Sequence, residues 1–156
     1  SNVMAAAWAM PLDFDTPKVA VVVDKATLTR ELIDASGVLS LNVPCVAQKE
    51  LVMAAGTLSG KTDADKLGHC GISTHAAPLT GVPLVEGCIG WLECKVIDEP
   101  HTEQAYDTFF VEVVSAQSDT RVFANGRWSL RVTDTSPSNN QSGFLIGWSL
   151  VLLGRP

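Results

Sequence analysis

The stretch that most constrains this chain runs from Val19 to Pro44, VAVVVDKATLTRELIDASGVLSLNVP. Val19 to Val23 is a β-branched run of the kind that forms a buried strand. Thr27 is a candidate helix N-cap, and Leu28, Leu32 and Ile33 supply a short helical stripe that stops at Ser36-Gly37. Val38 to Val43 then returns to strand periodicity. A strand, a tight turn and a helix start together present unpaired backbone N–H groups. With Lys25, Thr27, Thr29 and Arg30 clustered in the first turn, an anion such as a phosphate fits there. The plainer alternative is that Thr27 only caps its own helix while Lys25 and Arg30 are solvated.

With 156 residues, 46% of them hydrophobic and 18% charged, the chain suffices for one full core and is short for two. A formal charge of −6 argues against nucleic acid as a partner, because phosphate backbones demand clustered Lys and Arg. Cys45, Cys70, Cys88 and Cys94 show no CxxC spacing, which favours free thiols and a cytoplasmic setting. Cys88 and Cys94 lie an even number of residues apart in one expected strand, so both are expected on one face as buried structural thiols. His69, Cys70 and His75 form the sole metal-like grouping, and their spacing does not suit one ion, so no metal is expected. No secretory leader is read at the N-terminus. The apolar run Phe144 to Leu153 is far short of the roughly 20 residues that cross a bilayer, so a soluble protein with no membrane partner is expected.

Along the chain, Val3 to Met10 is small and apolar with Trp8 its one large side chain, and Pro11 to Pro17 reads as a turn. Gln48 to Ala55 suggests a turn or two of helix ended by Gly56. Leu58 to Lys66 and His69 to Gly87 read as a long excursion over the surface. Cys88 to Asp98 and Thr108 to Ala116 alternate with period two and are expected to pair antiparallel across Glu99 to Asp107. Arg121 to Phe123 is a short extended piece before the hairpin signal Asn125-Gly126. Trp128 to Pro156 holds no Lys or Glu and a single Asp134, and reads as two strands, WSLRVTD and GWSLVLLG, around a polar loop from Thr135 to Ser142.

Several fragments, in this order and spacing, resemble the flavin reductase-like, FMN-binding split-barrel family, particularly its flavoredoxin-like branch. They are Asn2 to Trp8 (NVMAAAW), Pro17 with Val19 to Val23, Asp24-Lys25 with Thr27 and Thr29, Ser36-Gly37, and Leu41 to Pro44 (LNVP). Further on come Ser59-Gly60 with Asp65-Lys66, Trp91 to Cys94 (WLEC), and Val122-Phe123 with Gly126 to Trp128. The resemblance covers residues 2 to 128. It implies a mainly β fold, a split Greek-key β-barrel with one or two short helices. It also implies a homodimer with FMN near its interface and hydride delivered by NADH or NADPH. Carried over by position, Met4, Ala5, Ala6, Ala7 and Trp8 would lie along the flavin ring. Asp24, Lys25, Thr27 and Thr29 would hold the ribityl chain and phosphate, with Lys25 and Thr29 the foremost. Asn42, Val43, Pro44, Ser59, Gly60 and Lys61 would be the next contacts. No catalytic acid or base is implied, since hydride transfer is the cofactor's own chemistry.

Two departures qualify the family pattern. Strands that normally precede the Asn2 motif are missing, which leaves a sheet edge needing cover. Residues 128 to 154 instead resemble the closing strands of the P domain that follows the catalytic domain of subtilisin-like proprotein convertases, in a Trp-x-Leu-x-Val-x-Asp and Trp-Ser-Leu-x-Leu pattern. A chimera is therefore expected, residues 1 to 128 forming a trimmed FMN-binding barrel and the tail hairpin packing on it in place of the missing strands. The alternative expectation is a chimeric, structural β-barrel that has lost its flavin site and does no chemistry.

Overall fold

The computed structural model describes residues 1–124, 127, 128 and 150–154, with side-chain environments through residue 123. Strands β1 (Asn2–Ala6) and β2 (Ala9–Phe14) open the chain, followed by β3 (Pro17–Val22), helix α1 (Leu28–Ser36) and β4 (Val38–Val43). A 3₁₀ turn at Val46–Gln48 leads into α2 (Lys49–Thr57), then come α3 (Lys66–His69), β5 (Thr74–Ala76) and β6 (Pro83–Val85). Strand β7 (Gly90–Ile97), helix α4 (Pro100–Tyr106) and β8 (Thr108–Ser118) follow, with the short β9 (Phe123–Ala124), β10 (Arg127–Trp128) and finally β11 (Leu150–Gly154).

Seven strands form one sheet in the order β1-β11-β4-β7-β8-β3-β2, every pair antiparallel. β1 and β2 occupy its opposite edges, yet only Ala7 and Trp8 separate them in the chain. The three Cα steps from Ala6 to Ala9 reach about 11 Å at most, so the sheet has to roll until its edges approach. Val22 N–H donates to the Trp8 carbonyl at 3.0 Å beside that seam. The result is the mainly β split barrel, with Greek-key interleaving at the β4–β7 and β8–β3 pairs. It carries more helix than the sequence predicts, because the connections at residues 66–69 and 100–106 coil as well.

β4 shows why the alternating pattern suits this architecture. Leu39 and Leu41 point into the barrel with Val21, Val23, Ile33, Cys94, Phe109 and Val111. On its other face, Ser40 Oγ donates to the Pro83 carbonyl at 2.8 Å, and Asn42 Oδ1 accepts from Val85 N–H at 2.9 Å. These bonds fasten the β5–β6 hairpin over the sheet, above a second core of Val3, Ala55, Ile72, Val82, Val85 and Cys88. The segment from His69 to Gly87 is therefore no surface excursion, since Val82, Leu84 and Val85 are fully buried.

Three further expectations are corrected. Residues 11 to 17 are mostly strand: β2 pairs with β3 through Phe14↔Pro17, with a bulge between Pro11 and Asp13. Pro11 is tolerated because β2 is an edge strand. Helix α2 passes through Gly56 and ends at Thr57; an added Cβ at Gly56 would lie 3.3 Å from the Ala5 Cβ, so the glycine serves close packing on β1. Cys88 and Cys94 lie in different cores, because Cys88 precedes β7, which starts at Gly90, and the turn before that strand does not keep its period-two parity. Both thiols are buried, and burial pushes them up to about 11 and about 12, respectively.

Candidate functional site

Helix α1 starts as its sequence dictates. Thr27 Oγ1 accepts from Arg30 N–H at 3.2 Å, and Gly37 closes the helix in the left-handed region at φ 66° with its N–H on the Ile33 carbonyl. The backbone N–H groups of Leu28 and Thr29 have no hydrogen-bond partner among the described residues, as expected of a first turn. Arg30 is not solvated. It is 2% exposed, 4.4 Å over the Phe109 ring, and bound to Asp34 and the carbonyls of Val23 and Glu103. Its charge holds α1 against β8 and α4 rather than facing a ligand.

Two clefts flank β1. The first, about 280 Å³, lies in the barrel seam between the shelf Met4, Ala5, Ala6, Ala7 and Trp8 and the wall Val22, Asp24 and Asp107. The second, about 240 Å³, is lined by Asn2, Met4 and Ala5, by the α1 start (Ala26 to Thr29), by the end of α2 with Ser59 and Gly60, and by Lys66. Met4 and Ala5 belong to both. Neither cleft alone reaches the roughly 300–1,000 Å³ of cofactor-sized sites, but their linings meet at Met4 and Ala5.

Charge differs between the two. Lys66 is 4% exposed, and no hydrogen bond or ion pair to its ammonium is seen among the described residues. Burial pushes its pKa below the ordinary lysine value, partly offset by Cys70 and Asp63. A cation with no partner among the described residues, beside a helix N-terminus, suits an anion in charge and in geometry. Asn2 adds a second unpaired group: its Nδ2 donates to Thr29 Oγ1 at 2.9 Å, while Oδ1 is buried with no partner. Gly60 is required here, since an added Cβ would sit 2.4 Å from that oxygen.

Of the residues implied by the sequence, Met4 to Trp8 and Asp24 are gathered at the first cleft, and Met4, Ala5, Thr27, Thr29, Ser59 and Gly60 at the second. Lys25 lines neither; it pairs with Asp107 at 2.7 Å and donates to the Gln104 carbonyl. Lys61 pairs with Glu31 at 2.6 Å. Asn42 is fully buried in the β4–β6 contact, and Val43 and Pro44 continue from it away from both clefts. His69 Nδ1 meets Asp63 at 2.7 Å, and His75 packs edge-on against Trp91. Lys66 and Asp107 were missed. Asp65-Lys66 was visible as a motif fragment, but only folding shows that the lysine is buried.

The chain matches the Flavin reductase like domain over residues 1–130. It belongs to that family. Among similar members, an uncharacterised Escherichia coli protein, YddH, is 48% identical over 128 residues, which are 81% of this chain and 67% of that one. The FMN-binding domain of a flavin reductases-like enzyme from Shewanella baltica superposes with a TM-score of 0.80 at 47% identity, covering 82% of this chain and 67% of the other. Flavoredoxin of Desulfovibrio vulgaris gives a TM-score of 0.70 at 27% identity, over 80% and 65% of the two chains. This flavin reductase-like chain thus spans about two thirds of the length of such relatives.

Proposed function

We propose that this chain binds FMN across the two clefts and acts as a flavin reductase-like oxidoreductase, passing hydride from NADH or NADPH to the flavin. The observation that carries this reading is the shared floor of Met4 and Ala5, which joins a cation-lined cleft to a flat apolar one. FMN has matching parts, an anionic phosphate and a planar ring. Lys66 and the free N–H groups of Leu28 and Thr29 would hold the phosphate, with the Thr27 and Ser59 hydroxyls beside it. The alanine shelf lets a ring approach the backbone closely. Among the described residues β1 is paired on one side only, and that edge would offer backbone donors and acceptors to polar ring atoms. The bound flavin supplies the hydride chemistry, and the chain binds, orients and excludes water.

Likeness to the FMN-binding Shewanella domain and to the Desulfovibrio flavoredoxin supports a flavin ligand here. Titration of the purified protein with FMN, followed by absorbance and Trp fluorescence, tests binding; NADH or NADPH is then added anaerobically. Saturable quenching and bleaching of the flavin band are expected. Absence of binding sinks the reading, and binding without bleaching leaves a flavoprotein of another function.

The same reading includes a homodimer. Trp8 is 73% exposed and Phe14 98%, with Met10 and Leu12 between them on edge strand β2. An apolar edge strand of this kind favours pairing with a second copy, and Trp8 makes it continuous with the ring cleft. Four free thiols agree with a cytoplasmic location.

A further inference from the structure

Asp107 has a geometry that capping α4 does not explain. It follows that helix in the left-handed region, φ 55° and ψ 21°, an uncommon conformation for a residue with a Cβ. Its backbone is used twice, the N–H on the Thr102 carbonyl and the carbonyl accepting from Val23 N–H at 2.8 Å. Its Oδ1 lies 2.7 Å from Lys25 Nζ and 3.5 Å from Arg30 Nη1. These contacts are ionic, not aligned hydrogen bonds, and they bury that oxygen completely. About a third of the side chain, 32%, remains exposed, and the residue lines the first cleft. Two cations thus fix one carboxylate oxygen and leave the other as an oriented acceptor.

The cleft's other acidic side chain, Asp24, has its Oδ1 committed to Ala26 N–H at 2.7 Å. The remaining lining is the apolar Met4-to-Trp8 shelf and Val22. A flavin ring has one methylated apolar edge and one polar edge bearing a single imide N–H. Setting methyl groups against a carboxylate costs desolvation with no bond in return, so the polar edge faces Asp107.

Resting on the flavin reading above, we propose that Asp107 is a specificity determinant of the ring cleft. Its Oδ2 accepts the ring's imide N–H, so the cleft discriminates against flavins in which that nitrogen carries no proton. Lys25 belongs to this device as a positioning residue for Asp107.

The test compares riboflavin with 3-methylriboflavin, which blocks only the imide nitrogen, by fluorescence titration. The wild type is expected to prefer riboflavin by about tenfold or more, because a charge-assisted bond is lost and a polar group left unpaired. Asp107→Gly removes the carboxylate while suiting φ 55° better than aspartate does, and Arg30 keeps Asp34 and two carbonyls as partners. It should bring the ratio to about one by weakening riboflavin alone. Asp107→Asn, which keeps the shape and a neutral acceptor, should fall between the two and serves if the glycine variant does not fold. A wild-type ratio near one, or a ratio unchanged in the variants, overturns the proposal while the flavin reading stands. Where FMN binds and riboflavin does not, the same ratio is read between FMN and 3-methyl-FMN, with the same outcomes; failure of the wild type to bind FMN overturns both.

Discussion

At the scale of single residues, burial separates the lysines more sharply than motif position does. Lys66 is buried and has no partner among the described residues, whereas Lys25 and Lys61 pair with Asp107 and Glu31. Lys66→Met should therefore lower FMN affinity roughly 10- to 100-fold, the cost of one charge-assisted contact of about 1.5–3 kcal/mol. Riboflavin, which lacks the phosphate, should respond little, and Lys25→Ala should leave the FMN-to-riboflavin ratio unchanged; calorimetric titration reads both. Because the Lys66 pKa is lowered, the cation disappears as pH rises through that value, so FMN affinity should fall on the alkaline side before ordinary lysines titrate. Folding stability moves oppositely, since the unfolded chain binds the extra proton in that window and unfolding is disfavoured as pH rises.

His69 offers a cleaner titration. Asp63 bonds its ring at 2.7 Å and raises its pKa above 6.5, while the histidine lowers that of Asp63. Any stability from the pair is complete between pH 3.8 and pH 6.5, is lost as pH climbs through the raised histidine value, and is lost again in acid as Asp63 protonates. An NMR titration should show a His69 midpoint above that of a free histidine, returning to the ordinary value in Asp63→Asn.

At the scale of elements, β11 is the strand on which the sheet's continuity depends. It lies between β1 and β4, with Val151 opposite Ala5 on one side and Asn42 on the other. Proline at a central strand position removes a ladder donor and cannot keep the register. Val151→Pro should lower the melting temperature by several degrees and expose the β1 edge, increasing aggregation; an unchanged melting curve would show that β1 and β4 do without it. The loop carrying Gly60 gives a sharper contrast. Gly60→Ala places a carbon 2.4 Å from Asn2 Oδ1 and 2.9 Å from Leu28 Cδ2, so the second cleft must distort. Gly71→Ala, with nothing within 4 Å, meets only the strain of φ 64°, about 1 kcal/mol, and should leave ligand affinity alone.

At the scale of the whole molecule, the seam that closes the barrel is also where the clefts, Trp8 and the exposed β2 strip converge. Assembly and cofactor binding are accordingly expected to be coupled. Phe14→Glu puts a charge at one end of the proposed dimer contact and should shift the protein to a monomer by light scattering. It should also weaken flavin binding through Trp8, although Phe14 lines neither cleft. The tail's likeness to a P domain is a proposal of origin that includes residues 129–149 and 155–156, outside the described ones. What bears on it is that Leu150–Gly154 pairs with both β1 and β4, while the expected WSLRVTD strand lies mostly beyond description.

Much of this was legible in the order of residues alone. The Val19-to-Pro44 unit, the Thr27 and Gly37 caps and the β7–β8 pairing rest on local rules, namely side-chain periodicity, capping and the conformational freedom of glycine, which neighbours in sequence satisfy by themselves. The shelf Met4 to Trp8 was legible through family likeness. The remainder was decided by tertiary contact. A turn before Gly90 left Cys88 outside β7 and in the other core from Cys94; pairing with β3 turned a Pro- and Asp-rich turn into strand; and Asn42 went to the β6 staple instead of a cleft. Lys25 and Lys66 look alike on paper, each beside an aspartate near a helix start. Their fates differ because burial, and the distance to a carboxylate 82 residues onward in the chain or to none, is a property of the closed barrel and not of the local sequence.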